Sequence, residues 1–299
     1  MRVAISAASG LIGSALAGDL SADGVEVIRL VRRAARAADE IGWDPQAADA
    51  GLDPAALAGV DAVVHLSGAP IAAGRWTAAR KAELRSSRIA STATLVSAIA
   101  AADPAPGVLL CASAIGYYGD TGERTVDESS PGGTGFLAEL VRDWEAAADP
   151  ARAAGTRVAT FRSGVVLAAS GGMLGRLLLP FRLGLGAKVG SGRQYFSWIS
   201  LTDEVRAIRF LLDSAGASGP FNLTAPEPVT NAEFTRALAK ALGRQAVLGV
   251  PSAALRAALG EVASELLGSA RVVPARLQEA GFRFAHPDIA TALAALLHS

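Results

Sequence analysis

The sequence predicts an α/β fold: a doubly wound parallel sheet followed by a smaller C-terminal, substrate-side domain. Three observations carry that expectation. Short apolar runs alternate with longer helical patterns through the first 165 residues. The runs are continuously apolar, as strands covered on both faces are. The first of them, Val3–Ile5, enters a turn of small residues, and a helical pattern (Ile12, Leu16, Leu20) starts at once.

The strand candidates are Val3–Ile5, Val25–Leu30, Ala62–Leu66, Val108–Cys111 and Val158–Phe161. Between them stand helix candidates at Ile12–Ala22, Thr77 to Ala101 and Phe136–Ala148. Thr77 is placed to cap the second, whose inner face takes Leu84, Thr92, Leu95 and Ile99. After Gly164 the texture changes. Residues 184–192 read as a glycine-rich irregular loop, and helix candidates follow at 203–213, 230–241 and 252–267, with a short strand near Phe221–Leu223. The expected division is a nucleotide-binding domain over 1–165 and a smaller domain over 166–299, whose chain has room to return to the main sheet near 200–225.

Composition narrows the class. The chain has 299 residues, enough for a large core, and its 28 basic and 28 acidic side chains cancel. Nothing steers it toward nucleic acid or an anionic membrane. A lone cysteine, Cys111, excludes an internal disulfide and suits a reducing compartment. With no apolar run of membrane-spanning length and no secretion-signal pattern, a cytoplasmic protein is expected. His65, His286 and His298 are scattered, His65 inside a buried strand, so no metal site is expected. No GxSxG elbow supports a serine hydrolase.

Ligands of such sheets bind beyond the carboxyl ends of the strands. Here those ends carry Ser6–Gly10, Val31–Arg33, Ser67–Pro70, Ser113–Gly119 and Arg162–Gly164. In the first turn, Gly10 allows close backbone approach to a pyrophosphate and Gly13 allows tight helix packing. Ala7 stands where a GxxGxxG pattern has its first glycine; it fits only with a negative φ, so a weakened grip is expected. A plain strand-to-helix turn with no ligand is the competing reading. The second strand ends Leu30-Val31-Arg32-Arg33, with no acidic residue between Glu26 and Asp39. An acid there selects NAD through the ribose 2′-OH, an arginine selects NADP through the 2′-phosphate, so the expected cofactor is NADP(H). A solvated basic loop is the alternative.

Several blocks then resemble the extended short-chain dehydrogenase/reductase superfamily, and more closely its atypical branch of epimerase-family proteins with a distinct C-terminal domain. They are Ser6–Gly13, Gly42-Trp43-Asp44-Pro45, Asp61–Ile71, Arg75–Ile89, Ser113–Gly119, Phe136–Glu145, Arg162–Leu167, Phe181–Asp203 and Pro274–Phe284. The resemblance implies a Rossmann-type NADP(H) domain with Ser9, Gly10, Leu11, Ile12 and Gly13 at the pyrophosphate. It puts Val31 and Arg32 at the 2′-phosphate end and Leu66, Ser67 and Gly68 beside the adenosine half. Glu83 and Arg88 of the long helix would reach toward the cofactor. By analogy a homodimer is possible through two helices of the main domain.

The departures bear on mechanism. Sugar-nucleotide members use a Ser/Thr and a Tyr-x-x-x-Lys, the tyrosine moving the proton. The Ser/Thr position falls on Ala114, beside Ser113, and the helix Phe136–Glu145 has neither tyrosine nor lysine. The dehydratase Asp-Glu pair falls on Ile115 and Gly116, and Ser200 stands where the branch often has histidine. Tyr117 with Ser113 is therefore assigned to catalysis, and Arg193, Gln194 and Tyr195 to the substrate side. An unassisted tyrosine titrates near pH 10, so Arg193 or the oxidised nicotinamide would have to assist. Two readings remain: an NADP(H)-dependent oxidoreductase or epimerase-like enzyme acting on an unidentified small molecule, and a non-catalytic NADP(H)-binding sensor or scaffold.

Overall fold

The computed structural model describes residues 1–298. Seven parallel strands form the central sheet: β1 (Arg2–Ser6), β2 (Glu26–Val31), β3 (Glu40–Gly42), β4 (Ala62–His65), β5 (Val108–Ala114), β6 (Arg157–Ser163) and β7 (Gly219–Leu223). Their spatial order is β7-β6-β5-β4-β1-β2-β3. The chain thus winds outward from β1 through β2 to β3, then restarts beside β1 at β4 and winds the other way. That reversal leaves a crevice at the carboxyl ends of β1 and β4, where α/β sheets bind ligands.

Alternation along β1 assigns the two faces. Val3 and Ile5 pack with Leu16 and Leu20 of α1 (Leu11–Ala22). Ala4 faces the other way, toward Leu95 and Ile99 of α2 (Ala78–Ala101) and Trp144 of α3 (Phe136–Ala148). Thr77 caps α2, its side chain accepting from the Arg80 N–H. With both faces covered, β1 buries every residue after Arg2 and β4 buries all four of its residues, whereas β2, toward the sheet edge, exposes Glu26 and Arg29.

The smaller layer begins after β6. It contains α4 (Gly172–Arg182), α6 (Asn231–Ala241), α7 (Ser252–Leu259), α8 (Ala263–Leu267), α9 (Ala275–Glu279) and α10 (Ile289–His298). Its core gathers Leu174, Phe181, Trp198, Phe234 and Leu293. Between α4 and α6 the chain goes back: α5 (Leu201–Asp213) lies beside α1, and β7 joins the sheet next to β6. Residue 165 is therefore not a boundary in space, because residues 201–223 complete the main sheet and one of its helical layers. The helix expected over 252–267 is two, broken at Gly260, whose φ of +62° suits glycine. Among the described residues no helix is long and apolar enough to cross a membrane.

Candidate functional site

The turn between β1 and α1 is built by one close approach. A Cβ on Gly13 would lie 2.4 Å from the Ala7 carbonyl oxygen, so only glycine lets the helix sit on the turn. No side chain caps α1 and its first turn carries no acid. The N–H groups of Leu11, Ile12 and Gly13 lie in that first turn, where helical amides lack an intrahelical acceptor. Ala7 departs from expectation: its φ is +51°, the left-handed region, not a negative value. The Gly10 N–H to Ala7 carbonyl bond, 2.9 Å, closes the turn around this strained residue.

Beneath the turn, Ser6 ties β1 to β4. Its hydroxyl oxygen accepts from the Leu66 N–H (2.8 Å) and from Ser67 Oγ (3.0 Å), so its own proton goes to His65 Nδ1 at 2.9 Å. The His65 Nε2–H then points at Ser91 Oγ, 3.3 Å away. Burial pushes His65 down to about 4, so the imidazole is neutral and serves as a fixed strut. As expected, it is a satisfied core histidine.

A cleft of about 1630 Å³ opens over the carboxyl ends of β1, β2 and β4, with Ser9, Gly10, Val31, Arg32, Ser67 and Gly68 in its wall. Three arginines stand on β2 or just past its end, and two are committed. Arg29 pairs with Asp39 at 2.5 Å, and Arg33 grips Glu40 with both terminal nitrogens at 2.8 and 2.7 Å. The Arg33 bonds hold Glu40 down at about 2, so this acid, which also reaches the cleft, is fully ionised and already bound. Arg32 has no hydrogen bond or ion pair among the described residues and is exposed in the cleft wall.

The long helix contributes differently from expectation. Glu83 lines the cleft and accepts from Arg80 at 2.6 Å. Arg88 does not line it: its guanidinium donates to the Ala69 and Leu84 carbonyls at 3.0 and 3.2 Å and lies 5.1 Å from the Trp144 ring. It supports the Gly68–Ala69 loop from below. A Cβ on Gly68 would stand 3.0 Å from the Arg88 guanidinium carbon.

At the ends of β5 and β6 the polar residues form a closed network. Ser113 Oγ donates to Glu145 Oε1 at 2.6 Å. Arg162 donates to both Glu145 oxygens at 2.8 Å and to the Tyr118 hydroxyl at 2.9 Å, and Tyr118 donates to Asn222 Oδ1 at 2.8 Å. Burial pushes the Tyr118 hydroxyl up to about 12. Ser113, assigned to catalysis from the sequence, is buried and its proton is spent inside this network. Tyr117 is half-buried, with no hydrogen bond to its hydroxyl among the described residues. Its ring carries the Arg162 guanidinium at 3.4 Å.

The cation beside Tyr117 is thus Arg162 and not Arg193. Arg193 is exposed and pairs with Glu123 at 3.3 Å. Gln194 donates to the Val189 carbonyl at 3.0 Å, and the Tyr195 ring lies 4.7 Å from the Arg271 guanidinium. Gln194 and Tyr195 thus make contacts within the C-terminal layer, Arg193 stands at the surface, and none of the three lines the cleft.

Sequence reasoning also missed Ser163 and Glu204. Glu204, in the first turn of α5, is fully buried. Its Oε1 accepts from Ser163 Oγ at 2.5 Å, while Oε2 has no partner. Burial pushes the carboxyl up to about 8, against a smaller pull downward from Ser163.

A family model described as the NAD dependent epimerase/dehydratase family matches residues 3–224. The chain belongs to that family. A domain of unknown function follows over residues 250–296. An epimerase family protein of Mycobacterium bovis is 52% identical over 292 residues, 97% of this chain and 96% of its own. The crystal structure of the human epimerase family protein SDR39U1, solved with NADPH, superposes with a TM-score of 0.90 at 36% identity, covering 100% of this chain and 99% of that one. A nucleoside-diphosphate sugar epimerase from Corynebacterium glutamicum has a TM-score of 0.82 at 36% identity, covering 99% of this chain and 58% of that one. The family relationship accounts for the sheet order and the glycine turn, and it leaves the chemistry of the β5–β6 edge to be argued from this chain's own residues.

Two outcomes follow from this geometry. Ala7→Gly removes a left-handed penalty of about 1–2 kcal/mol and adds roughly 0.5–1 kcal/mol of unfolded-chain entropy. The variant is therefore more stable by up to about 1.5 kcal/mol, read as a higher urea midpoint; a lower midpoint contradicts the strain. Glu204 holds a proton in the folded state that the unfolded chain has released above its ordinary pKa of about 4.5. Its contribution to stability is therefore present below that pH and is lost as pH rises toward 8. Glu204→Gln should flatten this decline in a denaturation series from pH 5 to 9, and an unaltered slope rules the burial effect out.

Proposed function

We propose that the chain is an NADP(H)-dependent oxidoreductase or epimerase-like enzyme of the short-chain dehydrogenase/reductase type, acting on a small molecule. The observation that carries the cofactor choice is Arg32: the neighbouring arginines are neutralised by Asp39 and Glu40, and this one alone of the three is left to meet a 2′-phosphate. The residues fit the dinucleotide. The open amides of α1 suit a pyrophosphate, and Gly13 keeps the helix close enough to the turn to present them. The solved human relative was crystallised with NADPH, which supports the same choice. When bound, the nicotinamide supplies hydride transfer; the chain positions it and manages the proton.

Tyr117, just past the end of β5, is half-buried with no hydrogen bond to its hydroxyl among the described residues, and the Arg162 guanidinium lies 3.4 Å from its ring. A second reading, a sensor that binds NADP(H) without turnover, is favoured by the closed Ser113–Glu145–Arg162–Tyr118 network, which leaves few free proton donors.

Arg32→Ala should weaken NADPH binding by roughly tenfold to a hundredfold, the value of a lost charge-assisted bond, and leave NADH binding nearly unchanged. Equal losses for both nucleotides would remove Arg32 from the 2′-phosphate. Turnover of carbonyl compounds or nucleotide sugars with NADPH identifies the enzyme, and a strong reduction in Tyr117→Phe places the Tyr117 hydroxyl against the substrate. Tight nucleotide binding with no turnover across a broad panel favours the sensor, and turnover unaffected by Tyr117→Phe eliminates Tyr117.

A further inference from the structure

Glu204 is the buried acid that the site as described does not use. It is fully buried, one oxygen is bonded to Ser163 and the other to nothing. The cations on the surrounding elements are engaged elsewhere, and Asp213, at the far end of α5, is exposed. On its own helix, Asp203 accepts from Arg206 and from the Ala285 and His286 N–H groups, and Arg209 pairs with Asp19 and Asp23 of α1. His286 shares its Nδ1 with Ser200 Oγ. On β6, Arg162 is held by Glu145, and Arg157 donates to carbonyls at the far end of α5. On β5, Cys111 is buried with its thiol pushed up to about 12. Among the described residues no cation pairs with Glu204, so the carboxyl is tolerated there in its neutral form.

Ser163 gives this buried group an outlet. It is the last residue of β6, in register with Ala114 at the end of β5, and it is partly exposed on the ligand edge of the sheet. In a dinucleotide laid across that edge, Arg32 marks the phosphorylated ribose on the β2 side, α1 marks the pyrophosphate, and the nicotinamide half extends over β4, β5 and β6. The segment after β6 closes on the start of α1. Cβ atoms built on Gly171 and Gly172 would stand 3.4 and 3.3 Å from the Leu11 side chain at the start of α1.

We propose that Ser163 and Glu204 form a proton-handling pair on the nicotinamide side of the site. The proposal rests on the dinucleotide reading above. A protonated Glu204 can reverse the existing bond, donating from Oε1 to Ser163 Oγ and freeing the serine proton toward the ligand edge of the sheet. In carbonyl reduction by reduced nicotinamide dinucleotide, the hydride goes to the carbonyl carbon. The Ser163 O–H then breaks as the substrate O–H forms, and the Glu204 O–H breaks as the Ser163 O–H is restored. Glu204 is left as a carboxylate and regains a proton after release; oxidation runs the same transfers backwards. Such a pair does the work of the tyrosine that α3 lacks.

A carboxyl one hydroxyl removed from the nicotinamide responds to its charge. The oxidised ring is cationic and favours the carboxylate, whereas the reduced ring is neutral and leaves the proton in place. Calorimetric titration of the whole protein with NADP+ and with NADPH, in buffers of different ionisation enthalpy, counts protons directly. At pH 7 the expected result is release of roughly half a proton or more per molecule on NADP+ binding, little on NADPH binding, and no difference in Glu204→Gln. Equal release with the two nucleotides, or a difference that survives in Glu204→Gln, overturns the pair while leaving the cofactor reading intact. Absence of binding by either nucleotide overturns both. If Glu204→Gln does not fold, Ser163→Ala substitutes for it. Losing the hydroxyl that favours the carboxylate moves the release to higher pH, and an unmoved profile overturns the proposal.

Discussion

The approach of α1 to the β1 turn constrains everything around it. With 2.4 Å between a hypothetical Gly13 Cβ and the Ala7 oxygen, helix and turn are packed backbone on backbone. That contact sets where the α1 amides point and forces Ala7 into a left-handed conformation that its side chain disfavours. Ser6 holds the turn from below, joining β1 to the end of β4 across the crevice, and neutral His65 extends the join to Ser91 on α2. A crevice whose two walls are bonded through one hydroxyl keeps its width, and a fixed width is what a backbone anion site needs.

The two ends of the site differ in how their charges are used. At the β2 end, carboxylates neutralise Arg29 and Arg33 and leave Arg32 open, an arrangement suited to receiving an anion. At the β5–β6 end, Arg162 faces a bidentate carboxylate and a tyrosine hydroxyl, so its donors are used inside the protein. One end is prepared to bind; the other is prepared to hold its own shape. Truncating Arg162 would strand Glu145 as a half-buried charge, which is why the pair is better understood as scaffolding for Tyr117 than as an acid–base couple.

Much of this was legible in the sequence because the relevant signals are local. Strands covered on both faces are apolar throughout, and the order of turn, glycine and helix at Ser6–Gly13 is contiguous. Strand β3 escaped because it is three residues at a sheet edge, with no burial to impose a pattern. Its place matters, since it brings Glu40 back to Arg33, a pairing that the gap between Glu26 and Asp39 hides. The Glu145–Arg162 pair depends on how α3 settles over β6, and nothing in the spacing of the two residues announces it. Glu204 is the hardest case. An Asp-Glu pair in a first helical turn reads as two solvated acids favoured by the helix dipole, and only the position of α5 against the sheet shows that both are buried.

The fate of those two neighbouring acids separates structural from chemical burial. Asp203 accepts from the Ser200-capped helix's own Arg206 and from two backbone N–H groups of the segment that leads to α10, so its charge fastens the C-terminal layer to α5. Removing that carboxylate would leave two backbone donors without their partner. Glu204, one residue further on, satisfies no backbone group and meets no cation; its one partner is a hydroxyl at the ligand edge. A side chain kept only for packing would be cheaper as leucine at the same position. The acid is thus explained by what its proton does at Ser163 rather than by what its atoms fill.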